Sequence, residues 1–532
     1  MARSHRTLVL LQRMPLRIAL AVVGGLLSGP TLPLANAWYL IFPSVVALLL
    51  SVRASGFWRG ALVGFIGGTV FYASQSPWLT AYLGPVPWLA LSVLMGLIFA
   101  IGMGSLAKIW SWLQTKQTSL GKWHELIVAI VLAGVWTTRE WVAGHYPYGG
   151  YQWSRLAQSQ ADTLLNRWAF WGGLSGLSFV VALICAALTL WIISARLYKP
   201  TLAALIAAMV AVPLFTALPV SSQQGSLTVG AVQGNANAGL FANPVPGSIL
   251  AKHIVETKAL MNDPKAGSLD FVVWPENASD LDPISYPPAR AAVENLVNNE
   301  IRKPLILGAV THRGDEIYNS TIQFDPNVGP VDFYDKQHPV PFAEYVPDRA
   351  FWYQLAPDLI GLIEKGFSFG TRPGTFQVAG RTVGSLICFE IANDSSLETL
   401  VRQGSTLILS QANNADFGHS AETFQQAQLV KLQAIATGRA IVHVSTVGVT
   451  QVVMPDGTVA AELSPFKPGY LIQRVPVMTG TTPAMFTFGA LDYLCVLATC
   501  VLLFFSLGGN RLFFRKRGSK PNAIGNSKDS KN

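Results

Sequence analysis

Two mostly apolar blocks, residues 1–220 and 486–508, enclose a block of ordinary globular composition at 221–485. No other feature narrows the possible folds as much. Only 13% of the 532 residues are charged, against roughly 25% in soluble proteins, and the deficit lies in the apolar blocks. Such a chain reads as a membrane protein with one soluble domain inserted before its last span. Apolar segments fall at about 18–34, 38–52, 58–75, 86–106, 126–143, 168–194, 202–218 and 486–507, which predicts about eight spans. Pro30, Pro33 and Pro43 interrupt the first two. Ala35-Asn36-Ala37 resembles a signal-peptide cleavage site, but the spans that follow at once favour a retained first helix.

The charges between segments set an orientation. Arg53 and Arg59 follow the second segment, Lys108, Lys116 and Lys122 the fourth, and Arg196 and Lys199 the sixth. The tail, 509–532, carries Arg511, Arg515, Lys516, Arg517 and Lys520, whereas residues 74–85 carry no charge. Short cytoplasmic loops collect Lys and Arg. Both termini are therefore expected in the cytoplasm, with 221–485 and the loop 144–167 on the extracytoplasmic side. Arg139, Arg155 and Arg167 run against this pattern. The net charge of +9 lies beside apolar segments, as a topology signal and not as a nucleic-acid footprint. The expected domains are thus a transmembrane domain at 1–220, a soluble domain at 221–485, a last transmembrane helix at 486–508 and a basic tail.

Within 221–485, strand and helix patterns alternate. Strands are predicted at 227–234, 269–276, 304–310, 319–324, 331–335, 382–388, 405–410, 440–446 and 449–454. Helices are predicted at about 246–261, 289–299 and 422–437, and Met454–Thr458 reads as a hairpin turn. This order argues for a layered α/β domain.

Three polar residues each end an apolar run: Glu276 after FVVWP, Lys336 after VDFYD and Cys388 after VGSLI. Strand ends are where α/β domains place chemistry. Singly, each has an ordinary structural reading, Cys388 as a small buried hydrophobe above all. Together they suit acyl transfer through a thioester. A carboxylate takes the thiol proton. An ammonium, with the N–H of Phe389, stabilises the oxyanion formed when sulfur attacks a carbonyl.

The order WPE, DKQHPVPFAEYVP and CFE resembles the nitrilase superfamily, an αββα sandwich with a Glu-Lys-Cys triad, which maps to Glu276, Lys336 and Cys388. The stretch GRAIVHVSTVGVTQVVMPDGTV is similar as well, and the resemblance covers about 227–475. A nitrilase-like domain between spans seven and eight resembles the apolipoprotein N-acyltransferases. HPVPFAEYVP and the loop GHYPYGGYQWSRLAQSQAD carry that narrower likeness. Glu344 and Glu390 match two further family glutamates. The chain departs from many members at Asn413–Gly418, where a Trp is missing, at Phe389 in place of Tyr, and near Phe241, which stands where some members have Trp.

The resemblance implies a phospholipid acyl donor, typically phosphatidylethanolamine, and acceptors that are diacylglyceryl-modified apolipoproteins. It implies an enzyme of the bacterial cytoplasmic membrane, expected as a monomer. No cofactor or metal site is implied, and no nucleic-acid partner. Residues 342–367 are unusually apolar. Phe351, Trp352, Leu355, Leu359, Ile360 and Ile363 are expected to rest on the bilayer and admit acyl chains. The alternatives are a membrane-tethered amidase hydrolysing a small amide and a transporter with a sensory outer domain. Spans poor in charge weigh against the transporter.

Overall fold

A computed structural model describes residues 13–194, 196–216, 218, 222–239, 242 and 244–508. The basic tail and Phe241 lie outside the described residues. The apolar N-terminal block forms α1 (Met14–Ser28), α2 (Ile41–Val52), α3 (Phe57–Gln75), α4 (Pro85–Gln114), α5 (His124–His145), α6 (Trp168–Ile193) and α7 (Lys199–Ala211). Among the described residues, four helical stretches are long and apolar enough to cross a membrane: Met14–Thr31, Pro85–Gln114, Gln117–His145 and Leu164–Ile193. The others are shorter or less apolar.

Small residues let these helices approach closely. A Cβ added at Gly64 of α3 would lie 2.5 Å from Met103 Cβ, and one at Gly68 would lie 2.3 Å from Phe99 Cβ, both on α4. Without a hydrophobic driving force between helices in lipid, such backbone approach is what holds them together. The three arginines that ran against the charge pattern are used in contacts. Arg139 reaches Tyr72 Oη at 3.0 Å and Glu140 at 3.3 Å. Arg155 pairs with Asp394 at 2.6 Å, and Arg167 donates to the carbonyls of Pro213 and Thr216.

The soluble block forms β1 (Ser222–Gln233), α8 (Ser248–Met261), β2 (Phe271–Val273), α9 (Pro287–Asn295), β3 (Leu305–Arg313), β4 (Glu316–Asp325), β5 (Gly329–Asp335), β6 (Thr375–Val378), β7 (Arg381–Ile387), α10 (Asp394–Arg402), β8 (Leu407–Ala412), α11 (Glu422–Thr437), β9 (Ile441–Ser445), β10 (Thr450–Val453), β11 (Val459–Leu463) and β12 (Gly469–Thr479). A final helix, α12 (Ala490–Ser506), follows. The sequence pattern placed helix to 299, but the α-turn ends at Asn295 and continues as a π-helix over Leu296–Ile301.

The strands make two six-stranded sheets, ordered β12-β1-β2-β3-β4-β5 and β11-β10-β9-β8-β7-β6. The central strands are parallel: β1 with β2, β2 with β3, β7 with β8, and β8 with β9. Their two-residue alternation serves two cores. Val229, Phe271 and Val273 face Val383, Ile387, Leu407 and Leu409 between the sheets. Val272 and Trp274 pack outward on Leu260 and Leu296, from α8 and the π-turn. Leu386 and Ile408 pack outward on Leu397 and Leu400 of α10 and Val430 of α11. Burial on both faces explains why these strands read as unbroken apolar runs.

One helix joins the two blocks. Leu429, Leu432, Ile435 and Ala436 of α11 belong to the apolar core that α6 shares with the other N-terminal helices. Gln425 fixes the contact. Its Oε1 accepts from the indole N–H groups of Trp78 at 3.0 Å and Trp153 at 2.7 Å. Its Nε2 donates to Gln75 O, and its carbonyl accepts from Gln158 Nε2, each at 3.0 Å.

Candidate active site

Glu276, Lys336 and Cys388 come from three strand ends and converge. β2 ends at Val273; two residues on, the carbonyl of Pro275 accepts from Gly308 N at 3.1 Å, and Glu276 follows, 4% exposed. Lys336 follows β5, 1% exposed, with its N–H on Asn319 O at 2.9 Å and its carbonyl accepting from Gly370 N. Cys388 follows β7 at φ +56°, a left-handed conformation that side-chain-bearing residues adopt rarely. The strand stops there abruptly, the thiol is lifted out of the sheet, and Cys388 keeps partial exposure. Strain of this kind persists only where surrounding contacts hold it.

Glu390 supplies those contacts. Its carboxylate is fully buried and accepts from four groups: Ile387 N at 2.9 Å, Gln337 N at 2.9 Å, His338 N at 3.1 Å and Tyr334 Oη at 2.8 Å. The carboxylate thus ties the residue before Cys388 to the residues just after Lys336. Phe389 lies in the first turn of a 3-10 helix, Cys388–Ala392, where helical geometry leaves N–H groups without an internal acceptor. Its ring stacks on Trp153 at 5.8 Å and 8°, which seats the loop 144–167 against the nucleophile turn.

Two carboxylates share one ammonium unequally. Lys336 Nζ lies 2.8 Å and 3.0 Å from the two oxygens of Glu344, but 3.5 Å from Glu276 Oε1. Asn319 Nδ2 bridges the pair, at 2.7 Å to Glu276 and 2.9 Å to Glu344. Glu344 is held further by Val340 N at 2.6 Å. Glu276 Oε2 is buried without a hydrogen-bond partner, and the Cys388 thiol stands beside that carboxyl.

Burial raises the Glu276 carboxyl, Lys336 pulls it back and Glu344 pushes it up, so the net direction is upward. Burial lowers Lys336, but Glu344 and Glu276 more than offset this, and the side chain stays charged. Burial and Glu276 push the Cys388 thiol well above its ordinary value, with Lys336 opposing. Burial thus disfavours the thiolate, and a nearby base would be needed to form it. The two acids thus differ in their contacts: Glu344 holds the Lys336 ammonium through both oxygens, while Glu276 stands farther from it and beside the Cys388 thiol.

The N-terminal helices and the sandwich each match a known family. Residues 24–187 match the apolipoprotein N-acyltransferase N-terminal domain, and residues 250–483 match carbon-nitrogen hydrolase. An apolipoprotein N-acyltransferase of Mycolicibacterium smegmatis is 30% identical over 507 residues, covering 88% of this chain and 81% of the relative. The chain belongs to the apolipoprotein N-acyltransferase family. A second member, from Shewanella oneidensis, is 28% identical over 88% of this chain and 91% of its own length. Among solved structures, an amidase from Nesterenkonia aligns over 52% of this chain and 97% of its own, with 13% identity and a TM-score of 0.36.

The family reading and the geometry meet in the sandwich, whose two sheets are nitrilase-like. Sequence reasoning missed four side chains there. Asn319 bridges the two acids, Tyr334 anchors Glu390, and Gln426 faces the sulfur at 3.9 Å. The fourth is Glu422, buried near the thiol. Asn319 and Tyr334 lie within predicted strands, where polar residues two apart in β4 were the available signal. The apolar arm needs a correction. Phe351 and Leu355 are 56% and 64% exposed, but Ile360 and Ile363 are buried beneath it at 7% and 9%. Tyr148 of the 144–167 loop holds the arm through Asp348 Oδ2 at 2.8 Å and Trp352 Nε1 at 3.3 Å. Among the described residues, no cluster of His, Cys, Asp or Glu could hold a metal ion.

Proposed function

We propose that the protein moves a fatty acyl chain from a phospholipid, through a thioester on Cys388, to the N-terminal amine of diacylglyceryl-cysteine in apolipoproteins. The supporting observation is the Cys388 thiol on a turn at φ +56°, beside the buried Glu276 carboxyl and the Lys336 ammonium that two glutamates hold in place. Family membership supplies the substrates.

Glu276 takes the Cys388 proton, and the thiolate attacks an ester carbonyl of the donor. The oxyanion forms between Lys336 and the N–H of Phe389. Of the contacts made by Lys336 Nζ, the one to Glu276 at 3.5 Å is the longest, so it is the one an oxyanion replaces most easily. Collapse breaks the acyl C–O bond, and the proton on Glu276 passes to the departing lysophospholipid oxygen. In the second half, the acceptor amine attacks the thioester, Glu276 takes a proton from nitrogen, the C–S bond breaks and the proton returns to sulfur. A thioester suits this order because amines attack it far more readily than they attack an ester.

The proposed topology has eight membrane crossings, with both termini cytoplasmic and residues 221–485 outside. The loop charges support it, as does the succession of apolar helices α1–α7 and α12. In this reading Phe351, Tyr353 and Leu355, all exposed on the arm, meet the bilayer, from which both substrates come. Incubation with acyl-labelled phosphatidylethanolamine tests the reading. A hydroxylamine-sensitive label should appear, should chase onto a diacylglyceryl peptide and should be absent in Cys388→Ala. Release of free fatty acid alone, with no transfer, would instead favour a hydrolase.

A further inference from the structure

Glu422 opens α11 and is 4% exposed, yet no ion pair reaches it among the described residues. Its one side-chain partner is an uncharged amide, Asn414 Nδ2, at 2.7 Å from Oε2. Burying an ionised carboxylate with no cation is costly, and such a group stays protonated instead. Asn414 is itself completely buried, and every polar position on it is taken. Oδ1 accepts from Ser445 Oγ at 2.5 Å, and Nδ2 also donates to Gln426 Oε1 at 2.9 Å. With its oxygen held there, Gln426 must turn its NH2 toward Cys388 Sγ, at 3.9 Å.

We infer that Glu422 is a positioning residue for the nucleophile, which must be uncharged and which acts through Asn414 and Gln426 to keep an N–H donor facing the Cys388 sulfur. The inference rests on Cys388 being the nucleophile. An N–H aimed at sulfur favours the thiolate. A second carboxylate beside it has the opposite effect, because Glu276 already faces the thiol from β2. Ionisation of Glu422 therefore opposes catalysis on the alkaline side.

The surroundings agree. Burial, with help from Glu276, pushes the Glu422 carboxyl up to about 8, against the pull of Asn414. Glu422 in turn raises the Cys388 thiol. The other groups facing this chamber are Lys336 and Glu344, paired with each other, and Tyr151, whose hydroxyl lies 2.8 Å from Ser76 Oγ. On neighbouring β9, burial lowers His443 to about 4 and keeps it neutral. Farther along α11, Lys431 is paired with Asp162. None of these supplies a cation to Glu422.

The test is the alkylation rate of Cys388 by iodoacetamide, followed by mass spectrometry of its peptide, from pH 6.5 to 9.5 in the detergent-solubilised full chain. Each profile is normalised to its own value at pH 6.5. The wild-type profile should flatten above about pH 8, whereas Glu422→Gln should keep rising. The pH 9 ratio should be up to about tenfold larger in the variant, since one unit of thiol pKa is a factor of ten in thiolate. Gln426→Ala should slow alkylation at every pH and leave the alkaline flattening in place. Superimposable wild-type and Glu422→Gln profiles would overturn the inference. Because alkylation needs no lipid, a shifted profile without acyl labelling would leave this relay standing and count against the lipid donor alone.

Discussion

Lys336 Nζ stands 2.8 Å from Glu344 Oε2, closer than to any oxygen of Glu276. Glu344 is thus the nearer counter-ion of the lysine, which in the proposed mechanism leaves Glu276 to exchange a proton. Glu344→Gln removes the counter-ion without removing the amide-sized side chain. Lys336 is then drawn onto Glu276, and the base is weakened as it is pinned. Cysteine acylation should fall by roughly 10²–10³-fold, the range seen when a general base or oxyanion donor is disabled. The pH dependence has a sign. In the proposed mechanism Glu276 works ionised, so the rate falls as pH drops through its raised pKa, and Glu344 is one cause of that raising. In the variant, the residual activity should lose its acid limb at a lower pH than wild type. A limb that stays put would separate Glu344 from the proton acceptor.

The four hydrogen bonds on Glu390 make it the clamp between the nucleophile turn and the segment after Lys336. In Glu390→Gln, an NH2 replaces one of the oxygens and faces buried N–H donors. Losing charge-assisted bonds of this kind costs about 1.5–3 kcal/mol each at most. A loss of 10²-fold or more in acylation is expected, with a lower unfolding midpoint. Tyr334→Phe removes one donor only and should be milder by at least tenfold. Equal effects from the two variants would show that the turn does not depend on the carboxylate.

The sandwich and two of its strand-end residues were legible because β2 and β7 each run apolar up to one polar side chain, the signature of strands buried on both faces. Lys336 instead follows the edge strand β5, where Val331 and Phe333 are exposed, and was marked by the motif that follows it. The clamp was less legible. Glu390 lies two residues past Cys388, but its partners Tyr334 and Gln337 are more than fifty positions away, and no local pattern announces such a pairing. Asn319, Glu422 and Gln426 were hidden for the same reason. A buried amide or acid in a helix or strand carries no periodic signal until the fold brings its partner. The junction was hidden differently. The sequence pattern predicted a helix over 422–437 but not its partners, and Gln425, Gln426 and Gln428 are buried against the N-terminal helices and the site. On the arm, apolar content was visible, but not that Ile360 and Ile363 turn inward.

Gln425 makes four hydrogen bonds across the junction between the two blocks, beside the Arg155–Asp394 and Lys431–Asp162 pairs. Gln425→Leu keeps the volume but leaves the buried indole N–H groups of Trp78 and Trp153 without their acceptor. Each orphaned donor costs about 1–3 kcal/mol. The unfolding midpoint in detergent should drop clearly, and turnover should drop with it, because Trp153 supports the ring of Phe389. Stability lost with turnover intact would mean that the stack on Phe389 does not position the nucleophile turn.

The arm offers a separation of surface from core. Phe351→Asp with Leu355→Asp places charge on exposed positions, so the fold should be kept. Turnover of donor phospholipid in vesicles should fall at least tenfold, while a short-chain donor soluble in water should react nearly as before. Ile363→Asp, by contrast, buries a charge beneath the arm and should impair both donors. Equal loss with both donors in the exposed double variant would remove the bilayer from the role of Phe351 and Leu355.

Two buried histidines predict how the sandwich responds to acid. His253 of α8 lies against Trp274, with Nδ1 at 2.9 Å from Ile249 O, and His443 of β9 has Nδ1 at 3.0 Å from Ser410 Oγ. Burial lowers both to about 4. The folded state therefore holds them neutral, whereas the unfolded chain takes up protons near the ordinary value of 6.5. Their contribution is complete above 6.5 and is lost as pH falls toward 4. Unfolding midpoints should decline across that window, and His253→Gln should flatten part of the decline. The near-neutral plateau should survive in that variant if the new amide keeps the bond to Ile249 O. A decline of unchanged steepness in His253→Gln and in His443→Gln would assign the acid sensitivity to the carboxylates around Lys336 instead.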